Sequence, residues 1–199
     1  MNILIKEFNK IKEFYKLGKD VQLQDALVLL KACKSFDYKK GEILLKQGTK
    51  ENNIYFITKG LVRCFNINEK GEEVTFQLIK EYQLVGNIHF ILFDEPSKFN
   101  YEAIENLKGH SISYDTLQKI LSNNPKLESN RKLFFRKILK QAFGRVDSFV
   151  LLSPEERYKK YIKDFPGIVN RAPDKHIANV LGITSVSLSR IRKRIASKK

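Results

Sequence analysis

The sequence predicts an α+β chain: an N-terminal antiparallel β-roll with flanking helices, a long spine helix, and a C-terminal helix-turn-helix domain. Three observations carry that class. Between Phe36 and Tyr114 short apolar runs alternate at period two and are punctuated by Gly41, Gly48, Gly60, Gly71, Gly86 and Gly109. From Lys126 to about Leu152 there is no Pro and only one Gly, Gly144. From Asp174 to Ile195 two short periodic runs flank Gly182.

In chain order, Ile3, Leu4, Phe8, Ile11, Phe14 and Tyr15 keep a helical period, and Leu17-Gly18-Lys19-Asp20 breaks it. A second helical run spans about Leu23 to Cys33. Seven or eight strands follow: GEILLKQG, NNIYFITKG, LVRCFNIN, EKGEEVTFQLI, YQLVG, NYEAIE and GHSISY. Lys59-Gly60 and Lys70-Gly71 read as hairpin tips. No helix-length crossover separates the strands, so the sheet is antiparallel. Asp115 is positioned to cap a short helix, TLQKILSN.

Asn124-Pro125 then opens the long helix, Asn as cap and Pro at its first position. At 1.5 Å per residue it is roughly 40 Å long. Leu127, Phe134, Phe135, Ile138, Leu139, Ala142, Phe143, Val146, Phe149 and Val150 give it more apolar surface than one neighbour can cover. It therefore reads as a spine between domains and as a contact between two copies. Ser153-Pro154-Glu155-Glu156 is a complete helix start, with Glu156 placed to close a capping box. That helix stops at Pro166-Gly167, and Ile168 and Val169 link it to the last two. The boundaries follow: a sensor domain over 1–124, a linker and dimerisation helix over 125–152, and a helix-turn-helix domain over 153–199.

In the last stretch Ile177, Ala178 and Leu181 make one apolar face, and Gly182 suits a left-handed turn. Thr184 can cap the final helix, whose Leu188, Ile191 and Ile195 form the buried stripe. Ser185, Val186, Ser189, Arg190 and Lys193 share the opposite face. Short polar groups near a helix start with cations further along suit base edges and phosphates. The candidate DNA contacts are Thr184, Ser185, Val186, Ser187, Ser189, Arg190, Lys193 and Arg194, with Lys175 and His176 from the first helix.

Charge supports a polyanionic partner. The net charge is +15, and residues 126–199 hold 19 Lys and Arg against 6 Asp and Glu, leaving 18 against 16 in the rest. A Lys-rich proteome would spread such an excess evenly, whereas here one half carries it. Two distant cysteines, Cys33 and Cys64, speak against a disulfide scaffold and are too few for an all-cysteine metal site. The start MNILIKEFNKIKEF lacks a signal-peptide core, and no apolar run is long enough for a membrane span. The expected location is cytoplasmic. The metalloprotease, nucleophile-elbow and phosphate-loop motifs are absent, so no catalytic or metal residue and no cofactor is expected.

The order of elements, with YKKGEILLKQG (38–48), NNIYFITKGLVRCF (52–65), GEEVTFQL (71–78), LSPEERYKKYI (152–162) and HIANVLGITSVSLSRIRKRI (176–195), resembles the cyclic-AMP receptor protein/Fnr family of bacterial transcription regulators. The last two segments look most like the short members common in Bacteroidetes-type bacteria. The resemblance implies a cyclic-nucleotide-binding-like roll and a homodimer paired through the 126–152 helix. It also implies double-stranded DNA with a roughly palindromic site, and RNA polymerase as a further partner.

Family nucleotide binders carry Gly-Glu, then Arg-Ser about ten residues later, for the ribose and the cyclic phosphate. Here Gly86 matches, Asn87 stands for the Glu, and Ser97-Lys98 stand for Arg-Ser. Lys98 offers a point charge but no bidentate fork. Tight cyclic-AMP binding is therefore not expected. Arg63, Gly86, Asn87, Ser97 and Lys98 remain the residues to test for a small anionic effector of unknown identity. Two cysteines fall short of the four of an Fnr-type cluster, and isolated His89 and His110 read as structural rather than as haem ligands.

At the reading helix, Ser185-Val186 replace the Arg-Glu pair of the cyclic-AMP receptor protein while Arg190 matches its later Arg. A different target sequence follows. The sequence stops at Lys199 straight after this helix, so no wing is expected, with Lys198-Lys199 as a partial substitute. The competing reading is a ligand- or protein-binding regulator that keeps the roll and has lost specific DNA recognition.

Overall fold

The computed structural model describes residues 9, 12–13 and 22–197, the side chains of Ala26, Asn130 and Phe134 excepted. Most of the helix expected over 3–15, the break at 17–20 and the tail Lys198-Lys199 lie outside the described residues.

Helix α1 (Leu23–Ala32) leads into β1 (Lys34–Tyr38), β2 (Ile43–Leu45), β3 (Asn53–Lys59), β4 (Val62–Ile67), β5 (Glu73–Ile79) and β6 (Leu84–Gly86). The short helix α2 (Ile88–Phe93) precedes β7 (Asn100–Ala103) and β8 (Leu107–Ser113). All pairings are antiparallel, in two four-stranded ladders ordered β1-β8-β3-β6 and β2-β7-β4-β5. Tyr55, Ile57, Val85 and Leu107 of the first ladder and Leu45, Val62, Cys64, Ile79, Tyr101 and Ala103 of the second share one core. This follows from the period of two, which sends alternate side chains inward.

The two suggested hairpin tips have different fates. Lys70-Gly71 turns β4 into β5, with Asn68 Oδ1 accepting from the N–H groups of Lys70 (3.0 Å) and Glu72 (2.9 Å). Lys59-Gly60 is no hairpin, because β3 and β4 belong to different ladders. Gly60 has φ +98°, and a Cβ there would stand 2.6 Å from the Asn106 carbonyl oxygen. Glycine is required by its left-handed backbone and by the close approach of the β3–β4 and β7–β8 connections, which leaves the mark of a hairpin in the sequence.

Helix α3 (Tyr114–Ser122) is capped by Ser113, whose hydroxyl accepts from Thr116 N–H at 3.2 Å. Asp115, expected to cap it, lies in the first turn and accepts from the Asn52 amide at 3.0 Å. Starting two residues earlier lets the strand run straight into the helix. The spine α4 (Pro125–Leu151) opens as expected on Asn124, which accepts from Leu127 N–H at 3.2 Å. Helix α5 (Pro154–Asp164) has both bonds of the Ser153/Glu156 capping box. A single 3₁₀ turn (Ile168–Asn170) then leads to α6 (Asp174–Leu181) and α7 (Ser185–Ala196).

The C-terminal helices pack on the outer face of the second ladder. Leu61 and Leu78 join Tyr158, Ile168, Ile177, Leu181, Leu188 and Ile191 in a second core. Truncating a fully buried leucine such as Leu188 would cost about 2–5 kcal/mol. The spine leaves Leu139, Phe143, Val146, Val150 and Leu151 more than half exposed. No helix among the described residues is long and apolar enough to cross a membrane.

Candidate nucleic-acid interface

Helix α6 ends at Gly182, which is left-handed at φ +65°. A Cβ there would also stand 2.5 Å from the Phe149 ring, so any larger residue would be strained at this φ and would have to displace that ring. Thr184 Oγ1 accepts from Ser187 N–H at 3.1 Å and starts α7. Leu188 and Ile191 are buried and Ile195 half-buried, which fixes the rotation of α7. Ser185, Val186, Ser189, Arg190, Lys193 and Arg194 consequently face solvent with Thr184, while Ser187 is half-buried beside the cap. Val186 is 60% exposed, an apolar side chain left mostly uncovered by the described residues.

The cations of this face differ in their engagements. Arg194 pairs with Glu155 at 2.6 Å and Arg192 with Asp174 at 2.8 Å. Among the described residues, no ion pair engages Lys175, Arg190 or Lys193, all exposed. They are the charges left for a polyanion. His176 is a correction. It is buried, its Nδ1 lies 2.8 Å from Thr75 Oγ1 on β5, and it faces the sheet rather than solvent. Burial, with the charges of Arg63 and Lys175, pushes its imidazole down to about 4, so it is neutral at pH 7. Only one face of α6 read as apolar, yet His176, Ile177, Ala178, Val180 and Leu181 are all buried, because α6 is covered by both α7 and β5.

Of the five residues grouped as an effector pocket, Gly86, Asn87 and Ser97 gather around the Thr49 carbonyl, which accepts from both Asn87 Nδ2 and Ser97 N–H, whereas Lys98 and Arg63 stand away from them. Asn87 is buried and caps α2, accepting from Phe90 N–H at 3.2 Å and donating to the Thr49 carbonyl at 3.1 Å. Gly86 pairs with Ile54 at the end of β6. Ser97 is buried and donates to the Phe99 carbonyl at 2.7 Å. Lys98 points outward, 64% exposed, with Glu95 at 3.6 Å. Arg63 alternates with the inward Val62 and Cys64, so it lies on the outer face under α6. There it pairs with Glu73 at 2.8 Å and with Glu102, and stacks on Phe65 at 3.9 Å. Its fork is spent on two carboxylates, which disqualifies it as a phosphate clamp for the roll interior.

Several contacts that position the interface were invisible in the sequence. Arg171 bridges Glu81 and Glu105 of the β-ladder domain with four bonds of 2.7–3.0 Å. Asn179 accepts from Thr75 N–H at 3.1 Å, satisfying the free edge of β5. These partners lie 66 to 104 residues apart, beyond any local pattern. Arg145 and Phe149, four apart on one helix, were the readable pair. Among the described residues no group of His, Cys, Asp or Glu is placed to hold a metal ion.

Residues 35–124 match the family described as the cyclic nucleotide-binding domain. The chain is 26% identical over 173 residues to the anaerobic regulatory protein of Haemophilus influenzae, a match covering 76% of this chain and 63% of that protein. It is 24% identical over 91 residues to the global nitrogen regulator of Synechococcus elongatus, covering 45% of this chain and 41% of that protein. The matches thus span less than two thirds of these relatives, both of them named as regulators. Among solved structures, the c-di-GMP-responsive global regulator CLP of Xanthomonas campestris superposes with TM-score 0.70 at 13% identity, covering 89% of this chain and 93% of that one. FixK2 of Bradyrhizobium japonicum gives 0.70 at 18% identity, covering 83% and 85%.

Proposed function

We propose that this chain, which has the fold of the Crp/Fnr-type transcription regulators, is a sequence-specific DNA-binding regulator acting as a homodimer. The observation that carries the reading is the exposed face of α7: small polar groups and Val186 at its start, then unengaged Arg190 and Lys193. We read α6, the Gly182 turn and α7 as a helix-turn-helix, with α7 in the major groove. Val186 suits a thymine methyl and Arg190 the O6 and N7 of guanine. Lys175 and Lys193 suit phosphates. The apolar flank of α4 suits a second copy, which would set two reading helices about one turn of DNA apart. The β-ladders form the sensor, in the manner of a roll. RNA polymerase is a partner by analogy with the family. Assignment to its short Bacteroidetes-type members rests on segments 152–162 and 176–195 alone.

The same geometry argues against cyclic AMP as the effector, although the domain is cyclic-nucleotide-binding-like. Asn87 is committed to capping α2 and no guanidinium stands at Ser97-Lys98. Calorimetric titration of the full chain with cyclic AMP should give no heat at micromolar concentrations. Saturable binding there contradicts this part of the reading.

DNA binding itself is tested by electrophoretic shift at two salt concentrations. Neutralising 6–10 phosphates predicts an affinity loss of roughly 10³-fold or more between 50 and 200 mM salt. Absence of a shift at either salt would favour a regulator that keeps its sensor and has lost DNA recognition.

A further inference from the structure

The β-ladder domain and the α6–α7 turn are joined by an unbroken file of tilted rings and guanidinium groups. It begins at α2, where the His89 ring lies 5.8 Å from Phe99, and Phe99 lies 4.8 Å from Phe76 on β5. The Arg145 guanidinium of the spine sits over Phe76 at 4.3 Å and over Phe149 at 5.3 Å. Arg157 of α5 stacks on the same Phe149 ring at 5.0 Å. Arg157 then donates to the carbonyls of Leu181 at 3.1 Å and Leu152 at 2.8 Å. Phe149 abuts Gly182 directly.

We propose that Arg145 is the positioning residue that couples the α2 end of the sensor to the reading turn. The coupling acts through the relay Phe99, Phe76, Arg145, Phe149 and Arg157. The inference rests on the DNA-binding reading for its purpose, but not for its test.

Three physical points support it. First, β5 is an edge strand, and its register shifts beside Phe76, leaving the Phe76 carbonyl free of the ladder. Arg145 Nη1 donates to that carbonyl, so one side chain holds both the strand and the ring. Second, a guanidinium stacks on two rings and donates in its own plane at once, which an ammonium cannot do. Third, the file crosses three separately built units, and apart from Phe99, which directly precedes β7, its rings and guanidinium groups all stand on α2, β5, α4 and α5. A displacement of β5 or α2 must therefore move Arg145, or break its stack, and either outcome alters the support under Gly182.

The experiment is amide hydrogen exchange on the full chain without DNA, comparing wild type with Arg145→Lys and with Phe76→Leu. The reporting amides are Gly182, bonded to the Asn179 carbonyl at 2.9 Å, and Ile183, bonded to the Ala178 carbonyl at 3.0 Å. Ile57, in the sensor core and bonded to the Gln83 carbonyl at 3.1 Å, is the control. Both variants should speed exchange at Gly182 and Ile183 by about tenfold or more while Ile57 changes little. Unchanged Gly182 and Ile183 exchange in either variant overturns the proposal. So does acceleration of Ile57 by as much as Gly182 in both, which would make these residues general core supports. Because no DNA is present, failure of the relay and failure of the DNA-binding reading are separate results.

Discussion

Replacing Arg171 by Met should loosen the C-terminal helices from the β-ladders, and the size of the effect can be worked from its contacts. Arg171 makes two bidentate pairs, Nε and Nη2 to Glu105 and Nη1 and Nη2 to Glu81. Its side chain is 31% exposed, and those of Glu81 and Glu105 are 24% and 32% exposed. A charge-assisted bond in a buried site contributes about 1.5–3 kcal/mol, whereas exposed pairs contribute about 0–1. Partial exposure places each pair near ~1 kcal/mol, and methionine leaves two carboxylates without their shared cation. The total is about 2–3 kcal/mol, a loss of roughly 4–12 °C in Tm for a chain of this size.

The assay is thermal or urea unfolding of Arg171→Met beside wild type, repeated over pH. Burial alone would raise the Glu81 carboxyl. The Arg171 guanidinium and the Gly60 N–H outweigh it and hold the group below its ordinary value. A carboxylate depressed on folding stabilises above its unfolded pKa and loses that contribution as pH falls through the folded one. The gap between wild type and variant should thus be full at pH 7 and shrink below about pH 4. A difference under about 0.5 kcal/mol at pH 7, or one that persists unchanged at low pH, refutes the reasoning.

Arg190→Ala should cost about 1–3 kcal/mol at a single base position, whereas Lys193→Ala should weaken all sequences alike and flatten the salt dependence, both measured by competition binding. Proton NMR should find the His176 ring neutral down to about pH 4, because burial and then the Arg63 and Lys175 charges oppose its protonation. Since the unfolded imidazole takes its proton near 6.5, stability should fall as pH drops from about 6.5 toward 4, and Thr75→Val should alter that titration. Phe143→Glu or Val150→Glu, placed on the exposed flank of the spine, should convert a dimer to monomer in sedimentation without unfolding it.

Local chemistry was legible in this sequence where a residue's reason is local. Asn124-Pro125, the Ser153 capping box, Gly71 in its hairpin and Gly182 in its turn each announce a backbone conformation set within four residues. Gly60 failed because a close approach between two connections and a hairpin turn leave the same mark. His176 failed because its burial comes from β5, about 100 residues earlier in the chain. The site shows the same division. The exposed face of α7 follows from one helical period and one cap. The grouping of Arg63 with Asn87, Ser97 and Lys98 rested on a borrowed pattern, and the alternation of β4 alone would have sent Arg63 to the opposite face from Cys64.

The account stands most directly on what DNA the protein selects. The 199-residue chain should be incubated with a random duplex library at about 100 mM salt and the retained sequences read. It predicts two similar half-sites related by a two-fold axis, their centres about one helical turn, or roughly 10–10.5 base pairs, apart. Enrichment of a single unrepeated motif, or of no motif above unselected DNA, would contradict it.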